Sequence, residues 1–232
     1  MIVTHEKVNS EGRWLLRFDE EYFRSLRYSQ RERLIKRHML EVLKWGSKVS
    51  DADLLNGQGK SALDVGCAYG YVVEVLESLG YHAYGVDISK YSLKKAKQFY
   101  SADFIVCDVQ EPLPFKKDSF DLLTSFGVIE HLTHPSRALE NMFASCRGTM
   151  ICTTPNRIVE KPLKQIARDF DQTHINVRTQ KEWESIIKKL NSSFFKIEPF
   201  LDASLRVAGK PLFFKAFKIP RFGLDLRILI RK

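Results

Sequence analysis

The sequence predicts an α/β domain built on a doubly wound, mostly parallel sheet. Three observations predict it. Short apolar runs alternate with segments of helical period from residue 61 to 155, a strand, glycine turn and helix occur together in SALDVGCAYGY (Ser61–Tyr71), and each successive apolar run ends in a polar residue or glycine. Alternating strands and helices imply right-handed crossovers, hence parallel neighbours.

From Glu20 to Trp45 the pattern is helical, with Ile35, Met39 and Val42 on one stripe, Leu40 and Leu43 beside it, and Gly46 as a stop. Such an N-terminal helix either covers a ligand crevice or caps the sheet edge. Residues 47–60 form a polar linker. Ala62, Leu63 and Val65 then mark the first core strand, and Gly66 to Gly70 a turn that only small residues can make. Val72, Val75, Leu76 and Leu79 repeat at helical spacing, with Gly80 as the C-cap. Tyr81–Val86 reads as a strand ending at Asp87, and Ser89 caps a helix whose buried side is Leu93, Ala96 and Tyr100. The third strand, Phe104–Cys107, ends at Asp108.

After Pro112 and Pro114, Phe120–Phe126 is a strand stopping at Gly127. Pro135 starts a helix with Leu139, Met142 and Phe143 inward, and Thr149–Thr153 is a strand ended by Pro155. Residues 156–179 are polar and suit a segment inserted near the crevice. A helix at Gln180–Leu190 precedes strands at Phe194–Ile197 and Leu224–Ile230, read as an antiparallel hairpin finishing the sheet. The basic, aromatic stretch Arg206–Phe222, broken by Pro211 and Pro220, has no assigned element.

At 232 residues, with 44% hydrophobic and 28% charged side chains, the chain suits one globular domain rather than a disordered or fibrous protein. No apolar run reaches the about 18 residues of a membrane span, and no secretory signal pattern opens the chain. A soluble, cytoplasmic protein is expected. Cys67, Cys107, Cys146 and Cys152 form no CxxC pair and lie among apolar or small residues, so buried thiols are expected rather than a zinc site or disulfides. Charge is uneven: 9 basic against 13 acidic residues from 51 to 155, but 17 against 8 from 156 to 232. The basic third suits an anionic partner such as nucleic acid, or a solvated basic face.

In a doubly wound sheet, ligands bind outside the carboxyl ends of the strands. Asp64, Gly66, Gly70, Asp87, Asp108 and Phe126 gather there. A carboxylate 17 residues after Gly70 suits bidentate bonding to ribose hydroxyls. Asp108 suits an adenine exocyclic amine, with Ile88 and Val109 flanking the ring. The spacing Gly66, Ala68, Gly70 lacks the last glycine of GxGxxG, which disfavours an NAD-dependent oxidoreductase, and no GxxxxGK[ST] is present.

DVGCAYG, GVDIS, CDV and FDLLTSFGVIEHL, in this order and spacing, resemble the class I S-adenosylmethionine-dependent methyltransferases over residues 61 to 155, and THINVRT followed by KEW extends the likeness to about Trp183. The resemblance implies a three-layer Rossmann-like sandwich whose sheet has seven strands, the last antiparallel. It implies a single domain over residues 1–232, with a helical cap at 20–46, a cofactor-binding core at 60–155, and a substrate-side segment with the C-terminal strands at 156–232. S-adenosylmethionine would be held by Asp64, by Gly66, Cys67, Ala68 and Gly70 of the loop, by Asp87 and Ile88, by Asp108 and Val109, and by Ser125 and Phe126 facing the methyl; Ala68 replaces the family's middle glycine.

The implied reaction is in-line displacement at the methyl, leaving S-adenosylhomocysteine, with a small molecule as the expected acceptor. His131 is the first candidate base and His174 the second, each against the alternative of a hydrogen-bonded crevice histidine. Glu130 and His131 resemble half of an ExxEH metal site found in related methyltransferases, but Gly127 occupies the first acidic position, so no metal is expected. The alternatives are a tRNA methyltransferase and a non-catalytic nucleotide- or RNA-binding module. Oligomeric state is not legible.

Overall fold

Residues 7–8, 14–15, 18–166, 171, 173–207 and 210–232 are described by a computed structural model. Helix α1 spans Glu20–Ser25, and after a 3-10 turn at Tyr28–Arg31 helix α2 spans Glu32–Ser50. The core follows as β1 (Ser61–Val65), α3 (Tyr71–Ser78), β2 (His82–Asp87), α4 (Lys90–Phe99), β3 (Asp103–Val106), β4 (Phe120–Phe126), α5 (Pro135–Ser145) and β5 (Cys146–Pro155). Then come α6 (Arg157–Ile166), α7 (Gln180–Ile187), β6 (Phe194–Val207), β7 (Lys210–Lys218) and β8 (Asp225–Arg231). Lys7–Val8 pairs with Trp14–Leu15 in a separate short ribbon.

The main sheet has the order β3-β2-β1-β4-β5-β8-β6-β7. The first five strands are parallel; β8 runs antiparallel between β5 and β6, and β6 pairs antiparallel with β7. The expected seven strands are therefore eight. The added strand, β7, lies within the unassigned stretch, where Pro211 reads as a break. Because β7 is the edge strand, a residue without an N–H is tolerated there. The terminal strand is internal, and the edge hairpin is β6–β7.

Strand residues alternate between two packed faces, as the two-residue period of a strand requires. Ala62, Leu122, Ile151 and Leu229 face a cluster with Met39, Val42 and Leu43 of α2 and Val72, Val75 and Leu76 of α3. Leu63, Leu123, Met150, Cys152 and Ile228 face Leu139 and Met142 of α5 and Trp183 and Ile187 of α7. This makes three layers. Cys67, Cys146 and Cys152 are buried free thiols, while Cys107 is partly exposed. No described helix is long and apolar enough to cross a membrane.

The predicted helix from Glu20 to Trp45 is two helices. Asp19 caps α1 by accepting the Tyr22 N–H at 3.2 Å, and Arg27, at φ 49°, breaks the path before α2. Gly46 is not a stop. It is buried within α2, where a Cβ would lie 2.6 Å from Ile151 Cδ1 and 2.9 Å from Leu54 Cδ1, so the glycine lets the helix approach the sheet. Part of the expected crevice segment, 167–170 and 172, lies outside the described residues.

Helix α2 is tied to the late strands by Arg227 of β8, only 1% exposed. Its guanidinium donates to Asp202 Oδ1 at 2.7 Å and to the Glu41 carbonyl at 3.2 Å, and stands 4.0 Å over the Phe200 ring. Removing one side of such a buried pair leaves the other desolvated. Arg227→Ala is expected to destabilise the fold by roughly 3 kcal/mol, read as a lower urea midpoint at unchanged slope; a shift of under about 1 kcal/mol would mean that the pair behaves as an exposed one.

Candidate functional site

The turn between β1 and α3 is built on left-handed backbone: Gly66 at φ 74°, Ala68 at 46° and Gly70 at 82°. A Cβ on Gly66 would come 2.2 Å from Val128, and one on Gly70 2.9 Å from Phe104. Ala68 carries the one strained position that has a side chain, of the order of 1–2 kcal/mol. Its N–H, at the same time, donates to Asp87 Oδ2 at 2.8 Å. Asp87 Oδ1 accepts the Ser89 N–H, also at 2.8 Å, so one carboxylate at the end of β2 orders both flanking loops. Burial raises the Asp87 carboxyl above its usual range, and the bonds from Ser89 and Ala68 oppose that rise.

Below the loop, Asp64 accepts from Thr124 Oγ1 at 2.7 Å across β1 and β4, and burial pushes its carboxyl up to about 8. Among the predicted residues, Gly66, Ala68, Asp87 and Ile88 line a cavity of about 650 Å³. Asp108, Val109, Phe126 and His131 line it too. Asp108 Oδ1 accepts the Gln110 N–H at 2.9 Å, which fixes its carboxylate at the end of the crevice. Asp64, Cys67, Gly70 and Ser125 do not line the cavity. Ser125 Oγ is buried with no hydrogen-bond partner among the described residues.

Part of the remaining wall comes from α1 and its flanks: Phe18, Tyr22, Phe23, Leu26 and Tyr28. Helix α1 thus covers the crevice while α2 packs on the sheet, and the two expected roles belong to two helices. The cap is seated by aromatic contacts. Phe23 lies 5.0 Å from Tyr69, and Tyr28 stacks on Tyr71 at 5.6 Å with 9° between the rings. Ser89 Oγ also donates to the Phe18 carbonyl. These wall residues were missed in sequence; the aromatic density of FDEEYFRSLRY was the available signal.

His131 sits at the end of a 3-10 turn, Ile129–His131, after β4. Segment 173–179 is pinned against that turn, Asn176 N–H donating to the Glu130 carbonyl at 2.8 Å and Asn176 Nδ2 to the Leu132 carbonyl at 3.0 Å. This brings His174, which does not line the cavity, to 4.8 Å from His131, edge to face. Burial lowers His131 to about 4, with the His174 charge pushing the same way. His174 is raised: burial disfavours its charge, but the bond to Glu160 Oε1 at 3.1 Å and the charges of Glu130, Glu160 and Asp171 outweigh burial. Burial lifts Glu130 to about 7, and its Oε2 has no partner among the described residues. Glu130, His131 and His174 each offer a ligand atom within 4.8 Å of one another, a carboxylate and two imidazoles able to hold a cation.

The profile of the family described as a methyltransferase domain matches residues 29–192. An 18S rRNA (guanine-N(7))-methyltransferase of Schizosaccharomyces pombe is 33% identical over 101 residues, covering 39% of this chain and 38% of that protein. A ubiquinone biosynthesis O-methyltransferase of Maricaulis maris is 30% identical over 107 residues, covering 43% of this chain and 42% of its own length. The chain spans less than half the length of these curated relatives. Among solved structures, a SAM-dependent methyltransferase from Archaeoglobus fulgidus superimposes with a TM-score of 0.69 at 17% identity, over 92% of this chain and 100% of that one. The magnesium protoporphyrin IX methyltransferase of Synechocystis PCC 6803, with S-adenosylhomocysteine bound, gives 0.63 at 17% identity over 93% and 96%. With the loop, the strand-end carboxylates and the sheet order in place, the match over residues 29–192 shows that the chain belongs to the class I S-adenosylmethionine-dependent methyltransferases.

Proposed function

We propose that this enzyme methylates a small, largely apolar acceptor at an O–H or N–H held beside His131. The observation that carries the reading is the apolar part of the cavity lining, Phe18, Phe23 and Leu26 of the cap with Phe126 and Val128, which His131 joins. Ligand sites of this kind are apolar with few placed polar groups. A cytoplasmic location belongs to the same reading, supported by four free thiols.

The residues present fit the cofactor. Asp87 would take the ribose hydroxyls, Ile88, Asp108 and Val109 the adenine, and the backbone of Gly66 and Ala68 the amino-acid end. When bound, S-adenosylmethionine supplies a methyl on a cationic sulfur, already activated for displacement. The chain contributes orientation and exclusion of water. Holding reactants aligned supplies about 7–11 kcal/mol, more than the about 10²–10⁴ in rate that a general base adds. His131, neutral above about pH 4 because of its burial, can accept the acceptor's proton throughout the neutral range. An RNA acceptor is the second reading, favoured by the basic third of the chain and by the rRNA-modifying relative.

A screen with S-adenosylmethionine carrying a labelled methyl, offered phenols, aryl amines and total RNA, separates the two: label in the small compounds is expected, and label in RNA alone would overturn the small-molecule reading. Asp87→Ala should weaken S-adenosylmethionine binding by about a hundredfold, since hydrogen bonds to charged groups contribute about 1.5–3 kcal/mol each; unchanged calorimetric affinity in a folded variant would remove Asp87 from the ribose site. With an acceptor in hand, turnover should hold down to about pH 5 and fall toward about pH 4 as His131 is protonated, and His131→Gln should lower kcat by about 10²–10⁴.

A further inference from the structure

Both acceptors of the His131 Nδ1 contact belong to one residue. The Thr173 carbonyl lies 3.1 Å from Nδ1, and a carbonyl can only accept. Thr173 Oγ1 lies 2.8 Å from the same nitrogen. A hydroxyl has one hydrogen, and this one donates to Asp171 Oδ1 at 2.5 Å, so toward His131 the hydroxyl can only accept. Two acceptors converge on Nδ1, and the hydrogen of a neutral imidazole must be there.

Asp171 is itself held from two directions. Oδ1 also accepts the Thr173 N–H at 2.9 Å, and Oδ2 accepts the Tyr22 hydroxyl of the cap helix at 3.0 Å. Burial raises the Asp171 carboxyl, but the two Thr173 bonds and the neighbouring histidines hold it below its usual range. On its faces the His131 ring meets Phe18 at 5.6 Å and His174 at 4.8 Å, so it is packed between cap and crevice segment.

We propose that Thr173 and Asp171 are positioning residues which fix His131 as its Nδ1–H tautomer, leaving Nε2 as the basic atom of a ring that lines the cavity, with Tyr22 of the cap helix holding Asp171 in place. It rests on the reading of His131 as a base. In the step it serves, the acceptor's nucleophilic atom bonds to the methyl while the carbon–sulfur bond breaks, its electron pair staying on sulfur in S-adenosylhomocysteine. The acceptor's proton passes to Nε2, and the imidazolium formed keeps Nδ1–H on Thr173, with the Asp171 charge one hydroxyl away.

The test is nitrogen-15 NMR of the histidine-labelled free protein, with His131 assigned by loss of its signals in His131→Gln. Wild type should show a protonated Nδ1 and a lone-pair Nε2. Thr173→Val should raise the Nε2–H population, and Thr173→Ser should restore the parental signals. Asp171→Ala, which removes the acceptor of the Thr173 hydroxyl and frees that hydroxyl to donate to Nδ1, should also raise the Nε2–H population. A wild-type Nε2–H tautomer, or Thr173→Val signals identical to wild type, would overturn the proposal. Both readouts need no acceptor, so they are distinct from failure of the base assignment, which would show as undiminished methyl transfer by His131→Gln.

Discussion

A carboxylate taken out of water must be given donors, and at Asp87 the donors come from the two loops that flank its strand. Ala68 N–H fixes the glycine turn and Ser89 N–H the start of α4. The same turn is drawn against β2 by Gly66 and Cys67 N–H groups donating to the Val86 carbonyl at 2.8 and 3.0 Å. The left-handed conformation of Ala68 is therefore sustained by a charge-assisted bond that a relaxed backbone would forgo. Asp64, one strand over, repeats the logic with a neutral donor, Thr124, and is likewise raised by its burial. The crevice floor is preorganised by what its acids are bonded to.

Much of this frame was legible because strand ends and turns are local. Phe120–Phe126 was readable to the residue, Ser89 caps α4 by accepting from Ser92 N–H, Pro135 opens α5, and Gly80 follows α3 at φ 90°. What failed was non-local. Gly46 looks like a stop in sequence and is instead a contact with Ile151, a residue more than a hundred positions away. Pro211 looks like a break because nothing in its neighbours says that its strand is the sheet edge. The cavity residues of the core were readable for the same reason as the strands, whereas Ser125 points into a buried layer that the run FDLLTSF does not distinguish from the crevice side.

The N-terminal segment shows how one break divides two functions. An uninterrupted helix from Glu20 would have to serve sheet and crevice along a single axis. Arg27 at φ 49° redirects the chain, so α2 can place Met39, Val42 and Leu43 on the sheet while α1 turns Tyr22 and Phe23 over the cavity. The cap carries few deeply buried apolar groups, Phe23 among them, and relies on rings of the loop it covers, Tyr69 and Tyr71. Its stability is thereby linked to the ordering of that loop, as expected of elements that must admit a ligand.

Asp171 and residues 173–179 complete the site by the opposite route, with hydrogen bonds rather than packing. Asn176 fastens them to the turn after β4, and their histidine and acid are distributed around His131 without sharing its exposure to the cavity. Two imidazoles 4.8 Å apart cannot both be charged cheaply, and the surroundings decide which is. His174, bonded to Glu160 and near Glu130, is shifted toward its charged form, whereas His131, buried against Phe18, is shifted toward its neutral one. Burial is the larger cause of the His131 shift, and His174 pushes the same way. A pair of identical side chains is shifted in opposite directions by position alone, and the one shifted toward neutrality is the ring at the cavity wall.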